Sequence, residues 1–210
     1  LRSSGQHAVV REDLSGLLAH DLKTPLAAIA MNLDFVLSEL GSGGEVFRAA
    51  LEDCRNANAR AIRIVTDMAD VARLAIGDYR PTLCEFSPSE LIERVARGAA
   101  LEAASREVRV VWSSTGDAVT GEPELLARAL DRLVERALRY SRPGSTMAIE
   151  HLGGTVTVRA ETTMAYASDS PTRALATCFA EAAVQAIGGT LEAHAGENCE
   201  LEYRVTLLAP

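Results

Sequence analysis

Between Leu14 and Leu40 apolar residues return every three or four positions: Leu14, Leu18, Leu22, Leu26, Ile29, Leu33, Val36 and Leu40. That spacing lays a single apolar stripe along one long helix. His20 and Asp21 stand off the stripe, side by side. Pro25 falls inside the same helix and has no N–H for the carbonyl of Asp21, so a bend is expected just after the histidine. A histidine next to a carboxylate at a proline kink marks a site rather than a core turn.

The glycine-rich turn at Gly41–Gly44 should stop this helix. A second helix is expected from about Glu45 to Ile76, with Phe47, Leu51, Cys54, Ala61, Ile62, Val65, Met68 and Ala72 on its inner face. Two long helices joined by a short turn make an antiparallel hairpin. One hairpin cannot bury so long a stripe on both helices. Two copies forming a four-helix bundle, a homodimer, is the expected solution. The alternative is a monomer whose hairpin packs against its own C-terminal part.

Gly77–Pro81, reading GDYRP, breaks the helical pattern and divides the chain into residues 1–78 and 79–210. Beyond it the pattern alternates. Strands are expected at Thr82–Phe86, Val108–Ser113, Ser145–His151, Thr155–Glu161, Leu191–His194 and Leu201–Leu208. Helices are expected from Ser87, with Pro88 at the first turn, to about Ser105, and over Glu124–Tyr140 and Leu175–Ile187. The fold class is therefore α+β: a helical hairpin followed by a two-layer α/β sandwich with a mixed sheet.

The chain has 210 residues, enough for one ordinary domain or two small ones with real cores. A net charge of −8 argues against nonspecific nucleic-acid binding and against adhesion to anionic membranes. No apolar run approaches the roughly twenty residues of a membrane span, and no signal peptide is visible. A cytoplasmic location is expected. Because the chain opens on Leu1, it is expected to be part of a longer protein with further N-terminal domains. Cys54, Cys84, Cys178 and Cys199 make no metal-ligand spacing and read as ordinary buried residues.

The segment His20–Leu26, HDLKTPL, resembles the phospho-acceptor motif of two-component sensor histidine kinases at all seven positions. The resemblance implies that His20 carries the phosphoryl group and that Asp21 polarises its imidazole. It implies that Thr24 can position water for dephosphorylating a partner. It also implies an obligate dimer and a response-regulator receiver domain as partner, with an upstream histidine kinase as a further one. Recognition would use the helix around His20 with neighbours such as Lys23 and Ala27.

The order of elements after Pro81 is similar to the GHKL-type ATP-binding domain of the same kinases, so the two resemblances cover nearly the whole chain. In that family, one of two asparagines on the helix matched by Leu125–Ser141 holds magnesium. Here those positions are Arg132 and Arg136. A guanidinium has no lone pair for a metal and repels it. The family's D-x-G-x-G turn, whose Asp receives the adenine amino group, falls on Thr162, Thr163, Met164, Ala165 and Tyr166. Its glycine-rich phosphate turn falls on Thr172–Thr177, with Ala174 and Ala176 at glycine positions. The lid between them is cut to a few residues around Ser168–Pro171.

ATP and magnesium are therefore expected to be lost, and no other cofactor or metal is expected. Two readings of Arg132 and Arg136 remain: a solvated helix face or ion pair with Glu135, or a surface remodelled for an anion or acidic partner. The expected function is histidine phosphotransfer through His20 without the chain's own ATP-dependent autophosphorylation. The alternatives are an atypical sensor kinase that still autophosphorylates, a response-regulator phosphatase, and a non-catalytic pseudokinase module.

Overall fold

The computed structural model describes residues 22, 24–29, 31–32, 34–36, 44–75, 79–163, 175–195 and 199–210. The chain divides into two compact units, Leu1–Ala69 and Asp70–Pro210.

In the first unit, residues 22, 24–29, 31–32 and 34–36 are helical and form α1. The second helix, α2, spans Gly44–Ala75 and continues past the end of the unit. The Cys54 thiol donates to the Ile29 carbonyl at 3.6 Å and ties α2 to α1. Within this unit the shielded apolar positions of α2 are Phe47, Ala50, Cys54, Ala57, Ala61, Ile64 and Met68, with Asp67 buried and Arg60 half-buried beside them. The spacing of the apolar positions alternates three and four, which is the seam of a helix lying along a near-parallel neighbour.

The inner face expected from sequence merged two stripes. Leu51, Ile62 and Val65 belong to a second stripe and are more than half exposed. On α1, Leu26 and Met31 are likewise 55% and 72% exposed. Periodicity marks a residue as apolar on a face, but two adjacent stripes read as one when their separation is about one residue, near 100° around the helix.

The second unit is a two-layer sandwich. A short pair, β1 (Cys84–Phe86) and β3 (Val119–Gly121), forms its own antiparallel sheet. The sequence reading placed β1 but not β3, whose three residues are too short to show a period. The main sheet contains β2 (Arg109–Ser114), β4 (Thr146–Leu152), β5 (Thr155–Glu161), β6 (Thr190–Ala195) and β7 (Glu200–Thr206). Its order is β2-β4-β5-β7-β6, with β2 parallel to β4 and the other pairs antiparallel. The mixed sheet expected from sequence is thus present.

Three helices line the inner face: α3 (Pro88–Ser105), α4 (Pro123–Tyr140) and α5 (Leu175–Ala186). Each stops for a local reason. After α3, Glu107 takes φ +58° and Val108 N–H returns to the Ala103 carbonyl at 2.9 Å. Gly188, φ +83°, closes α5 while Gly189 N–H reaches the Val184 carbonyl at 2.9 Å. A Cβ at Gly188 would meet only the movable end of the Leu208 side chain, so it is the conformation that favours glycine there.

Alternation divides the sheet. The inner rows, Met147–Ala160–Leu201 and Ile149–Val158–Tyr203, are at most 1% exposed. The outer face carries a ladder of ion pairs. Arg159 meets Glu202 at 3.0 Å and Glu150 at 3.7 Å, while Arg204 meets Glu202 at 2.6 Å. That face is built for water.

Helix α4 lies between α3 and α5. With neighbours on two sides and the sheet beneath, it buries Leu125, Leu126, Ala127, Ala129, Leu130, Leu133, Val134, Arg136, Ala137 and Leu138. Each fully buried leucine contributes about 1.5–3 kcal/mol. Among the described residues no helix is long and apolar enough to cross a membrane.

Candidate functional site

The first candidate centre is the proline-bearing helix. Thr24 is exposed, Pro25 is buried and Leu22 is half-buried in α1. Helical geometry continues through Pro25 to Ile29. His20, Asp21 and Lys23 lie outside the described residues.

The second centre is the face of α4 that the resemblance equates with a nucleotide floor. Arg128, Arg132 and Arg136 recur at four-residue spacing, so they stack along one face of the helix. Each is engaged within the unit. Arg128 Cζ lies 4.7 Å from the centre of the Phe179 ring on α5, and its Nη2 meets Asp70 Oδ2 at 2.5 Å. Phe179 is fully buried, so this cation rests on a desolvated aromatic face. Arg132 pairs with Glu135 at 3.7 Å and is largely covered. Arg136 Cζ lies 5.2 Å from the Tyr140 ring.

The solvated-face reading fails at Arg136, which is only 5% exposed. Its position falls on the side of α4 that packs inward, where even a charged side chain is covered and lies against an aromatic ring. At Arg132 the pairing with Glu135 expected from the i, i+3 spacing is present.

The segment after β5 is stitched to the end of α4. Thr162 bridges Ser141, and Thr163 N–H donates to the Tyr140 carbonyl at 2.9 Å. Thr162 is 4% exposed, and its hydroxyl donates to the Cys199 carbonyl at 2.8 Å. The hydroxyl is therefore spent on the backbone of the loop before β7. Cys199 holds φ +59° there. Ala176 lies in the first turn of α5; Met164, Tyr166 and Ala174 lie outside the described residues.

Sequence reasoning missed Asp70 and Phe179 as partners of Arg128. They stand 58 and 51 positions away, and only the tertiary fold joins them. It also missed Glu122, whose carboxylate accepts from Tyr79 Oη at 2.6 Å and from Thr82 N–H at 3.0 Å. That hydrogen bond, then burial and the carboxylate's charge, raise the Tyr79 phenol above its usual range. Of the four cysteines, Cys84 is exposed and the others are half-buried, so the expectation of buried thiols does not hold. Among the described residues no cluster of three or more His, Cys, Asp or Glu is placed to hold a metal.

Comparison with known proteins bears on both centres. Residues 10–77 match the His Kinase A (phospho-acceptor) domain. Sensor histidine kinase CusS of Escherichia coli O157:H7 is 28% identical over 143 residues, 66% of this chain and 29% of that protein. Sensor protein KdpD of Mycobacterium tuberculosis is 30% identical over 138 residues, 63% of this chain and 16% of that protein. The chain thus spans less than a third of the length of these relatives. Histidine kinase AdeS of Acinetobacter baumannii has a similar fold, with a TM-score of 0.69 at 16% identity over 90% of this chain and 97% of that one. The cytoplasmic segment of histidine kinase QseC aligns at TM-score 0.57 and 19% identity, covering 72% of this chain and 95% of that one. The phospho-acceptor match over residues 10–77, the sensor kinases among the relatives and the histidine kinase fold over most of the chain together support a two-component histidine kinase core.

Proposed function

We propose that this core acts as a histidine phosphotransferase in a two-component system and does not phosphorylate itself from ATP. His20 takes a phosphoryl group from an aspartyl phosphate and passes it to the receiver domain of a response regulator. A neutral imidazole nitrogen attacks phosphorus, the P–N bond forms as the P–O bond breaks, and the carboxylate leaves. Asp21 stabilises the positive charge that builds on the ring. This chemistry needs no nucleotide.

The observation that carries the reading is the state of α4. Arg136 is buried against Tyr140, and Arg132 is paired with Glu135 where the family places asparagines. Neither guanidinium offers a lone pair, and both repel a cation, so these residues do not fit magnesium. Thr162 is tied to the Cys199 carbonyl where the family places the adenine carboxylate.

The reading includes a homodimer in the cytoplasm, with receiver domains as partners. Its support is the second apolar stripe, Leu51, Ile62 and Val65, which the hairpin leaves open. The names of the relatives support a second reading, an ordinary sensor kinase with an altered pocket.

One experiment separates the two. The chain is incubated with labelled ATP and magnesium, and separately with a panel of labelled phospho-receivers, as wild type and His20→Ala. Label arriving from a receiver but not from ATP, and lost in His20→Ala, supports phosphotransfer. Label arriving from ATP on His20 overturns it in favour of the kinase. Label leaving the receiver as free phosphate, and abolished by Thr24→Ala, identifies a phosphatase.

A further inference from the structure

His151 is the penultimate residue of β4 and is 1% exposed. It sits in the inner row of the sheet, opposite Val156 on β5, which in turn faces Val205 on β7. An imidazole thus takes a place where the neighbouring strands supply valines. Its Nδ1 lies 3.0 Å from Ser114 Oγ at the end of β2. Its own carbonyl receives Thr115 N–H at 3.0 Å and lies 3.5 Å from Thr115 Oγ1. Both ends of this residue therefore hold the point where the edge strand β2 runs into the loop 115–118.

Gly116 closes the site from above. A Cβ there would lie 2.4 Å from His151 Cε1, 2.5 Å from Nε2 and 2.4 Å from the Gly153 carbonyl oxygen. The loop lies flush on the ring edge, between the ring and the β4–β5 turn. Nε2 is buried and has no hydrogen-bond partner among the described residues. In the neutral ring, one nitrogen meets Ser114 and the other sits under Gly116. The imidazolium would carry N–H on both nitrogens, and while the loop is down the second faces only the Gly153 carbonyl in a place closed to water.

We propose that His151 is an acid-operated latch on the loop 115–118 and the end of β2. With the ring neutral, Gly116 caps it and β2 is held to its last residue. When the ring takes up a proton the loop lifts, water reaches Nε2, and the Thr115 tie to β4 is lost. Asp117 on the loop is the charged group that faces the ring. From β2 it meets Ser114, and from the β4–β5 turn the Gly153 carbonyl. Glu150, the preceding residue of β4, points to the outer face and pairs with Arg159. Burial disfavours the charged ring, while the Gly153 carbonyl and Asp117 favour it, and burial prevails.

The test is hydrogen exchange on the whole chain at pH 7.5 and 5.5, corrected for the intrinsic rate, as wild type and His151→Gln. Glutamine can still bond Ser114 but does not titrate. Wild-type protection across residues 110–118 is expected to fall by several-fold to about tenfold on acidification, while β5 and β7 hold. In His151→Gln that dependence disappears. Protection independent of pH in wild type, or an equal fall in the variant, overturns the proposal. Should the variant not fold, proton NMR of the wild-type rings decides. A His151 ring that titrates in step with loop exchange supports the latch, and one that titrates with no change in exchange overturns it.

Discussion

Phe179→Ala is the sharpest test of how the α/β unit is held together. Phe179 is 0% exposed, between α5 and the central helix α4, with Arg128 stacked on its ring at 4.7 Å. Its removal leaves a cavity in a buried layer held between packed helices, which cannot fully collapse into it. Such a truncation costs about 3–5 kcal/mol. Loss of the aromatic seat of Arg128 adds about 0.5–2 kcal/mol, the lower figure being favoured because the arginine side chain is 35% exposed. The expected loss is therefore roughly 4–6 kcal/mol, against the 5–15 kcal/mol of a typical domain.

Urea unfolding followed by tryptophan fluorescence measures it cleanly. The chain has one tryptophan, and Trp112 lies in β2, so the signal comes from this unit. Phe179→Leu, which keeps most of the volume but no ring, should lose only about 1–2 kcal/mol. A double-mutant cycle with Arg128→Met should show coupling of about 0.5–1 kcal/mol with Phe179. A loss below about 1.5 kcal/mol in Phe179→Ala would refute the close packing of α5 on α4, and no coupling would refute the stacked cation.

Other outcomes follow from particular contacts. Ile62→Glu with Val65→Glu places charge on the open stripe of α2, where the single hairpin does not cover it. Sedimentation should show dissociation of the proposed dimer with helicity retained, and an unchanged mass would refute that use of the stripe. Glu122→Gln removes the carboxylate that raises Tyr79, so the phenol should ionise at lower pH in ultraviolet titration at 295 nm. At Glu202 burial pushes the carboxyl up, but Arg159 and Arg204 outweigh it and hold the group below its ordinary value. A depressed carboxyl contributes stability that is present above its unfolded value, about pH 4.5, and lost as pH falls through the folded value. Arg159→Gln should therefore cost about 0.5–1 kcal/mol at pH 7 and much less near pH 3, read from urea midpoints.

Apart from β3, the elements of the α/β unit were legible because each is bounded by local chemistry. Pro88 and Pro123 open helices, the glycines at 153, 154 and 188 turn or stop the chain, and alternation in β4, β5 and β7 separates apolar from charged faces. These are effects of neighbours in sequence, and a reader of the sequence meets them directly. The phospho-acceptor motif was legible for the same reason, since its seven residues are contiguous.

What escaped depends on distance along the chain. Which of two adjacent stripes on α2 is covered depends on where α1 lies, and Leu51, Ile62 and Val65 read as inner until that helix is in place. Arg136 looked like any arginine at helical spacing, and only the packing of α4 between two helices and the sheet puts it under cover. His151 follows Met147 and Ile149 at the period of an inner row, yet nothing local says that Gly116, from another strand's loop, seals its ring. Local sequence determined the pieces and the chemistry they carry. The tertiary structure decided which charges and rings lose their water, because desolvation is set by neighbours that the chain brings together only on folding.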